Sequence, residues 1–445
     1  MRPALLVAAL AACHSSVVVG DLEEITQLRA VNNPNLDILF VVDNSASMTE
    51  QQASLAANFT RMIDVLEQLD GGLPNLHIGV VSSDMGTSAF LTPPGPAIGV
   101  IGQGGCTSYG DNGVLHGGSL VTGNFISDIK VGGTRETNYT GPLREAFTQI
   151  AMVGAHGCGF EQHLSAMRTA LTSSANTGFL RPEANLAVVI IADEDDCSAL
   201  DAQLFGPDGG TLGALHSFRC ARFGVECEQD ILQPGVKTEC KPREASTLVG
   251  GVQPFVDDLL AVKPDKRNIM VAAIVGPPTP VEVTIQSING NAGPGLSPSC
   301  TFAGENGPEL ADPAVRLAAF IEAFPGRSQL TSICNADLSG ALSQIGASAK
   351  KLQGDPCLDT LNLADASPDP GLQPACEVLD IRDSAPTAPM ILPACGPGSI
   401  DDCFEIAADP VACPSAPENL RVRVQRTTVP ALDTWTHVRC QMEPQ

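Results

Sequence analysis

Asp43-Asn44-Ser45-Ala46-Ser47 places a carboxylate and two hydroxyls at alternate positions of one short segment. All three are hard oxygen donors of the kind that Mg2+, Mn2+ or Ca2+ prefers. Far along the chain stands an acidic run, Asp193-Glu194-Asp195-Asp196. Asp and Ser equally often cap the first turn of a helix, and clustered acids are usually a solvated surface run. Which use applies depends on the elements that carry these residues.

Those elements can be read from the apolar pattern. Leu36 to Val42 is a nearly continuous apolar run, the mark of a strand buried on both faces, and it stops at Asp43. Thr49 and Gln52 form a capping box ahead of Leu55, Phe59, Met62, Ile63 and Leu66, which recur at helical spacing. Strands are expected at 77–81, 186–191 and 269–275, and helices at 142–151, 160–171 and 246–262. A further helix opens at Asp312-Pro313. This alternation predicts a doubly wound, mostly parallel α/β sheet flanked by helices over residues 35–353. In such sheets ligands bind beyond the carboxyl ends of the strands, where Asp43 and Asp193 stand. Two Gly- and Pro-rich insertions, 86–140 and 198–244, leave the same rim and are expected to wall the binding face.

The D-x-S-x-S string between the first strand and first helix, with Asp193 directly after the strand at 186–191, resembles the metal-ion-dependent adhesion site of von Willebrand factor type A domains. The resemblance covers roughly residues 35 to 350 and implies a parallel sheet with one antiparallel edge strand. It implies Asp43, Ser45, Ser47 and Asp193 as ligands of Mg2+ (or Mn2+ or Ca2+), and cell-surface adhesion to a protein partner whose acidic group completes the coordination. The family's threonine ligand is missing. Cys158 stands in its slot, with Glu161 close by as a replacement and Thr137 and Thr140 as more remote alternatives. A disulfide at Cys158 would be a poor ligand for a hard cation. The rival reading is a structural envelope protein with a vestigial ion site, held to its partners by its disulfide-rich loops or tail.

Catalytic signatures are not evident: the sequence holds no G-x-S-x-G turn, no H-E-x-x-H helix and no Gly-Lys-Ser or Gly-Lys-Thr loop, so the reading is a binding protein and not an enzyme. His163, at the start of a predicted helix, could approach the ion loop, but an exposed or hydrogen-bonded surface histidine is the commoner case and it is left out of the site. The sequons at Asn58 and Asn138 read as coincidental in a bacterial envelope protein.

Acidic residues outnumber basic ones 50 to 25, a formal charge of -25, which argues against nucleic acid as a partner. Residues 1–12 read as a signal peptide, and Leu10-Ala11-Ala12-Cys13 resembles a lipobox, implying lipidation of Cys13 and an exported protein of the bacterial envelope, outer membrane or cell surface. Cleavage after Ala11 and Ala12 by an ordinary signal peptidase is the alternative. The membrane is then met only through the N-terminal lipid, followed by a linker over 13–34. Fifteen cysteines less Cys13 leave an even set without any Cys-x-x-Cys spacing, as expected for structural disulfides. From 354 to 445 Pro and Cys become dense, and alternation at 420–424 and 435–438 predicts a small Cys-rich β module.

Overall fold

The computed structural model describes residues 22–443 apart from 70, 208, 289–290, 305–306, 359–361, 368–370 and 414–415. The signal peptide at 1–12 and the lipidation site Cys13 lie outside the described residues. The chain divides into two compact units, one of residues 32–355 and one that joins 22–31 to 356–443.

The apolar runs of the larger unit fold largely where their pattern places them. Parallel neighbours run from Ser328–Ser332 through Ile269–Val275, β6 (Asn185–Ile191) and β2 (Asn35–Val42) to β3 (Asn75–Ser82). Beyond β3 the sheet continues antiparallel through β4 (Ile126–Val131) and β5 (Thr134–Thr137). Alternate residues of β2 serve two cores. Ile38, Phe40 and Val42 pack against α1 (Thr49–Leu66), α2 (Leu143–Ala151) and the helix Ser339–Leu352. Leu39 and Val41 pack against α3 (His163–Thr172) and the helices Gln253–Ala261 and Val315–Glu322. On the first face Phe59 and Phe147 stack 3.7 Å apart, and Phe40 meets Phe147 edge-on at 5.1 Å. Burying such side chains on both faces is worth about 1.5–3 kcal/mol each, enough to fix the register.

The expected doubly wound, mostly parallel architecture is overturned. Among the described residues parallel pairing is confined to five strands; the other fifteen pair antiparallel, in the β4–β5 extension and in five further small sheets. Strand accounts for 32% of the described residues and helix for 22%, so the fold is mixed α/β with many small antiparallel sheets. The reason lies in the insertions and the tail. Their short, Gly- and Pro-interrupted segments carry no long apolar run, yet they close into hairpins such as Val281–Ile288 with Asn291–Ser297, and Cys300–Ala303 with Pro308–Ala311. Such pairs need only a tight turn, whereas parallel neighbours need a crossover.

The smaller unit is β-rich. Its main sheet orders β1 (Leu22–Arg29), Thr434–Gln441, Cys376–Arg382 and Ala385–Leu392, all antiparallel. The stretch read as a linker therefore contains a strand, in register from Leu22 opposite Gln441 to Arg29 opposite Trp435. The guanidinium of Arg29 lies 4.6 Å from the centre of the Trp435 ring. Leu420–Gln425 pairs with Cys403–Ala408, and Val378, Leu392, Leu420, Val422 and Val438 form its core.

Seven disulfides use every cysteine among the described residues: 106–158, 197–220, 227–240 and 300–334 in the larger unit, and 357–413, 376–440 and 395–403 in the smaller. So many bonds belong to an oxidising compartment, and the protein is an exported or extracellular one. Among the described residues no helix is long and apolar enough to cross a membrane.

Candidate functional site

β2 and β6 are hydrogen-bonded neighbours with Val42 opposite Ile191, so both chains leave the sheet at one level. Asp43 is the first residue past β2 and its N–H donates to the Ile191 carbonyl at 2.9 Å. Its Oδ1 accepts from the Ser45 N–H at 2.7 Å, closing a turn that swings Ser45 and Ser47 back toward the strand ends. The two hydroxyls stand 2.9 Å apart, and that of Ser47 faces the carboxylate of Asp193, favouring its charged form. Asp43, Ser45, Ser47 and Asp193 are thus brought together. Asp43 is fully buried and Asp193 3% exposed, whereas Ser47 is exposed and opens the cluster to solvent.

The expected capping box does not form. The α1 N-cap is Met48, without a side-chain cap bond, and Gln52 turns inward, donating to the carbonyls of Asp43 at 2.9 Å and Gly154 at 2.7 Å. That one amide ties the aspartate to the loop 152–162 that carries Glu161. On the same loop the Gly157 N–H donates to the Asn44 carbonyl at 2.9 Å.

Cys158 occupies a disulfide with Cys106, so the slot where the resemblance expects threonine holds no free thiol, and the Cys158 N–H donates to Asp84 at 3.2 Å. Thr137 lies in β5 and Thr140 just beyond it, bonded to Leu120, at the sheet's antiparallel edge and three strands away from β2. Neither joins the site. Glu161 does: it is 1% exposed and faces Glu194 and Asp43. Burial raises its proton affinity well above the usual range, and the charges of Glu194 and then Asp43 add to the effect. Asp193 is raised likewise, by burial first and then by Asp43 and Glu194.

The run after Asp193 is not a solvated surface. Asp195 caps the helix Val315–Glu322, accepting from the N–H groups of Arg316 at 2.9 Å and Leu317 at 3.0 Å. Asp196 forms a fully buried ion pair with Arg316 at 2.9 Å and receives the Leu164 N–H at 2.9 Å. Only Glu194 turns to the cluster. It also borders a cleft whose other lining includes Asp195, Asp312, Phe218, Ile231 and Leu296.

His163 is the residue that sequence reasoning left out. It opens α3, is 0% exposed, and brings Nε2 to 3.7 Å from Asp43 Oδ2. Burial disfavours its charged form, but the Asp43 carboxylate outweighs this and raises its proton affinity. It stands one turn before Met167, which lies on the packed face of α3.

Several buried polar atoms of this cluster have no hydrogen-bond partner among the described residues: Asp43 Oδ2, Asn44 Oδ1, Asp193 Oδ1 and both ring nitrogens of His163. Orphaned buried carboxylate oxygens are costly, about 1–3 kcal/mol each or more when charged, and a cation is one way to offset that cost. The convergent set is two carboxylates and two hydroxyls. Among the described residues no group of three or more His, Cys, Asp or Glu side chains stands in metal-holding geometry.

No family model matches the chain, and no curated protein matches it. Among solved structures it is similar to proximal thread matrix protein 1 from the mussel byssus, with 10% identity over 74% of this chain and 50% of that one and a TM-score of 0.30. It is also similar to the human COPII-coat protein Sec24c, with 8% identity, 93% and 40% coverage and a TM-score of 0.27. A third likeness is to the pilus adhesin of Streptococcus pneumoniae, with 11% identity, 95% and 58% coverage and a TM-score of 0.26. The chain spans between 40% and 58% of the length of these structures, and likenesses at this level carry no argument about family or function.

Proposed function

We propose that this exported protein binds a divalent cation at the ends of β2 and β6 and uses it to hold an acidic group of a protein partner, as in a metal-ion-dependent adhesion site. The observation that carries the reading is the pair of buried carboxylate oxygens without a hydrogen-bond partner among the described residues, Asp43 Oδ2 and Asp193 Oδ1, in the cluster that holds the Ser45–Ser47 hydroxyl pair. Asp43, Ser45, Ser47 and Asp193 would hold the ion, Mg2+ or a similar hard cation, with Glu161 as a further oxygen ligand. An incompletely coordinated cation supplies a strong local positive charge, which an acidic partner can neutralise despite the protein's net charge of -25. The exposed Ser47 and the neighbouring cleft give such a partner a way in. Attachment through a lipid on Cys13, at the bacterial outer membrane or cell surface, belongs to the same proposal, as does a role in binding and not in catalysis.

Replacing Asp43 by Ala tests it. Calorimetric titration with Mg2+ or Mn2+ should show binding to the native chain and none to the variant, and retention of partner in a pull-down should be lost when chelator is added. Unchanged titrations would remove Asp43 from the ligand set.

One observation favours the rival reading of a structural envelope protein. The Cys106–Cys158 bond fills the slot of the expected threonine, and Glu161 and Glu194 already face one another, which leaves the acids partly satisfied without an ion. Partner retention that ignores chelator would decide for it.

A further inference from the structure

We propose that His163 is itself a ligand of this cation, so that the site takes a first-row transition ion, Mn2+, Co2+ or Zn2+, in preference to Mg2+ or Ca2+. The inference rests on the cation reading above and concerns which ion the site selects.

Three observations converge on the imidazole. Its ring is fully buried, yet neither nitrogen has a hydrogen-bond partner among the described residues. A fully buried ring whose two nitrogens make no hydrogen bond is rare, so it marks a place where something is bound. Asp43 Oδ2, which the ring faces, is equally buried and also lacks a hydrogen-bond partner.

Their separation is the third. At 3.7 Å, Nε2 and Oδ2 are too far apart for a hydrogen bond, which needs about 2.7–3.2 Å. Two atoms bound to one ion at about 2.0–2.2 Å stand about 2.8–3.8 Å apart for bond angles of about 90–120°. The observed spacing falls within that interval.

The backbone holds the ring there. The Gln162 N–H donates to the Ser83 carbonyl at 3.0 Å and the Leu164 N–H to Asp196 at 2.9 Å, fixing the residues on both sides of His163. The preceding loop is pinned by the Cys106–Cys158 bond. An all-oxygen set suits Mg2+ and Ca2+, whereas one imidazole nitrogen shifts preference toward later first-row ions.

The full chain, stripped with chelator and titrated separately with Mg2+, Ca2+, Mn2+ and Co2+, should bind Mn2+ and Co2+ more tightly than Mg2+ by about tenfold or more. His163→Gln should erase that preference by lowering Mn2+ and Co2+ affinity about tenfold or more and Mg2+ affinity by less, and Asp43→Ala should abolish binding of all four ions. A readout that needs no variant is the Mn2+ electron-spin-echo spectrum of the native protein, where a directly bound imidazole gives nitrogen modulation. Mn2+ bound without that modulation, or a Mn2+-to-Mg2+ ratio that His163→Gln does not move, overturns the assignment of His163 and leaves the oxygen site standing. A native chain that binds none of the four ions overturns both.

Discussion

Gly157 is pressed so closely against Asn44 that a methyl group in place of its hydrogen would stand 2.0 Å from Asn44 Oδ1. The contact lies beside Asp43 and is reinforced by the bond from the Gly157 N–H to the Asn44 carbonyl. Replacing Gly157 by Ala should push the Asn44 side chain and the Asp43 turn out of place. We expect a stability loss of about 1–3 kcal/mol in denaturant titrations, as in other overpacked sites. Cation affinity should fall with it; a variant that melts and titrates like the native chain would show that the turn yields freely.

Arg316 and Asp196 form an ion pair with both side chains fully buried, and Arg316 also donates to the carbonyls of Gly224 and Gly250. Replacing Arg316 by Met leaves the Asp196 charge without its counterion. Loss of one partner of such a pair costs about 3–5 kcal/mol. Denaturant unfolding of the single variant, and of Arg316→Met with Asp196→Asn, measures it; the double variant should recover a large part of the loss.

The acids around the site give the chelated protein a definite response to pH. Burial pushes the Asp312 carboxyl up to about 7, with Glu194 and then Asp195 adding repulsion. Burial likewise pushes Asp195 up to about 6, against the opposing pull of Arg316. Both folded values lie above the unfolded value of about 3.9, so the folded state holds more protons. Their contribution to stability is therefore complete below about pH 4 and is lost as pH rises through about 6 and then about 7. In chelator the melting temperature should be higher at pH 5 than at pH 8, and Asp312→Asn should flatten the upper part of the slope. Saturating cation should oppose the trend, because ions bind the deprotonated acids.

How much of this was legible in advance depends on the distance over which each feature is determined. Asp43, Ser45 and Ser47 could be read because they follow one another along five residues, and Asp193 because it ends a long apolar run. Glu194 could not be separated from Asp195 and Asp196 by sequence, since their different fates depend on Arg316, 120 positions away from Asp196. The burial of His163 depends on where α3 packs, which a single amphipathic turn does not announce. Gln52 looked like a capping residue because its spacing from Thr49 is right; the carbonyls of Asp43 and Gly154 compete for it and win. The largest miss was the sheet. Long apolar runs identify parallel strands, but short hairpins with one wet face carry only weak alternation.

β1 spends most of synthesis without its neighbour. Its partner strand, Thr434–Gln441, lies more than four hundred positions later in the chain. Residues 32–355 have their own cores and four internal cross-links, so they can fold while the first strand waits with an open edge. Exposed edges of this kind invite pairing with other chains until they are covered. The small unit is thus the last part of the molecule to close, and truncation before Thr434 should strand β1 as a free ribbon while the larger unit matures normally.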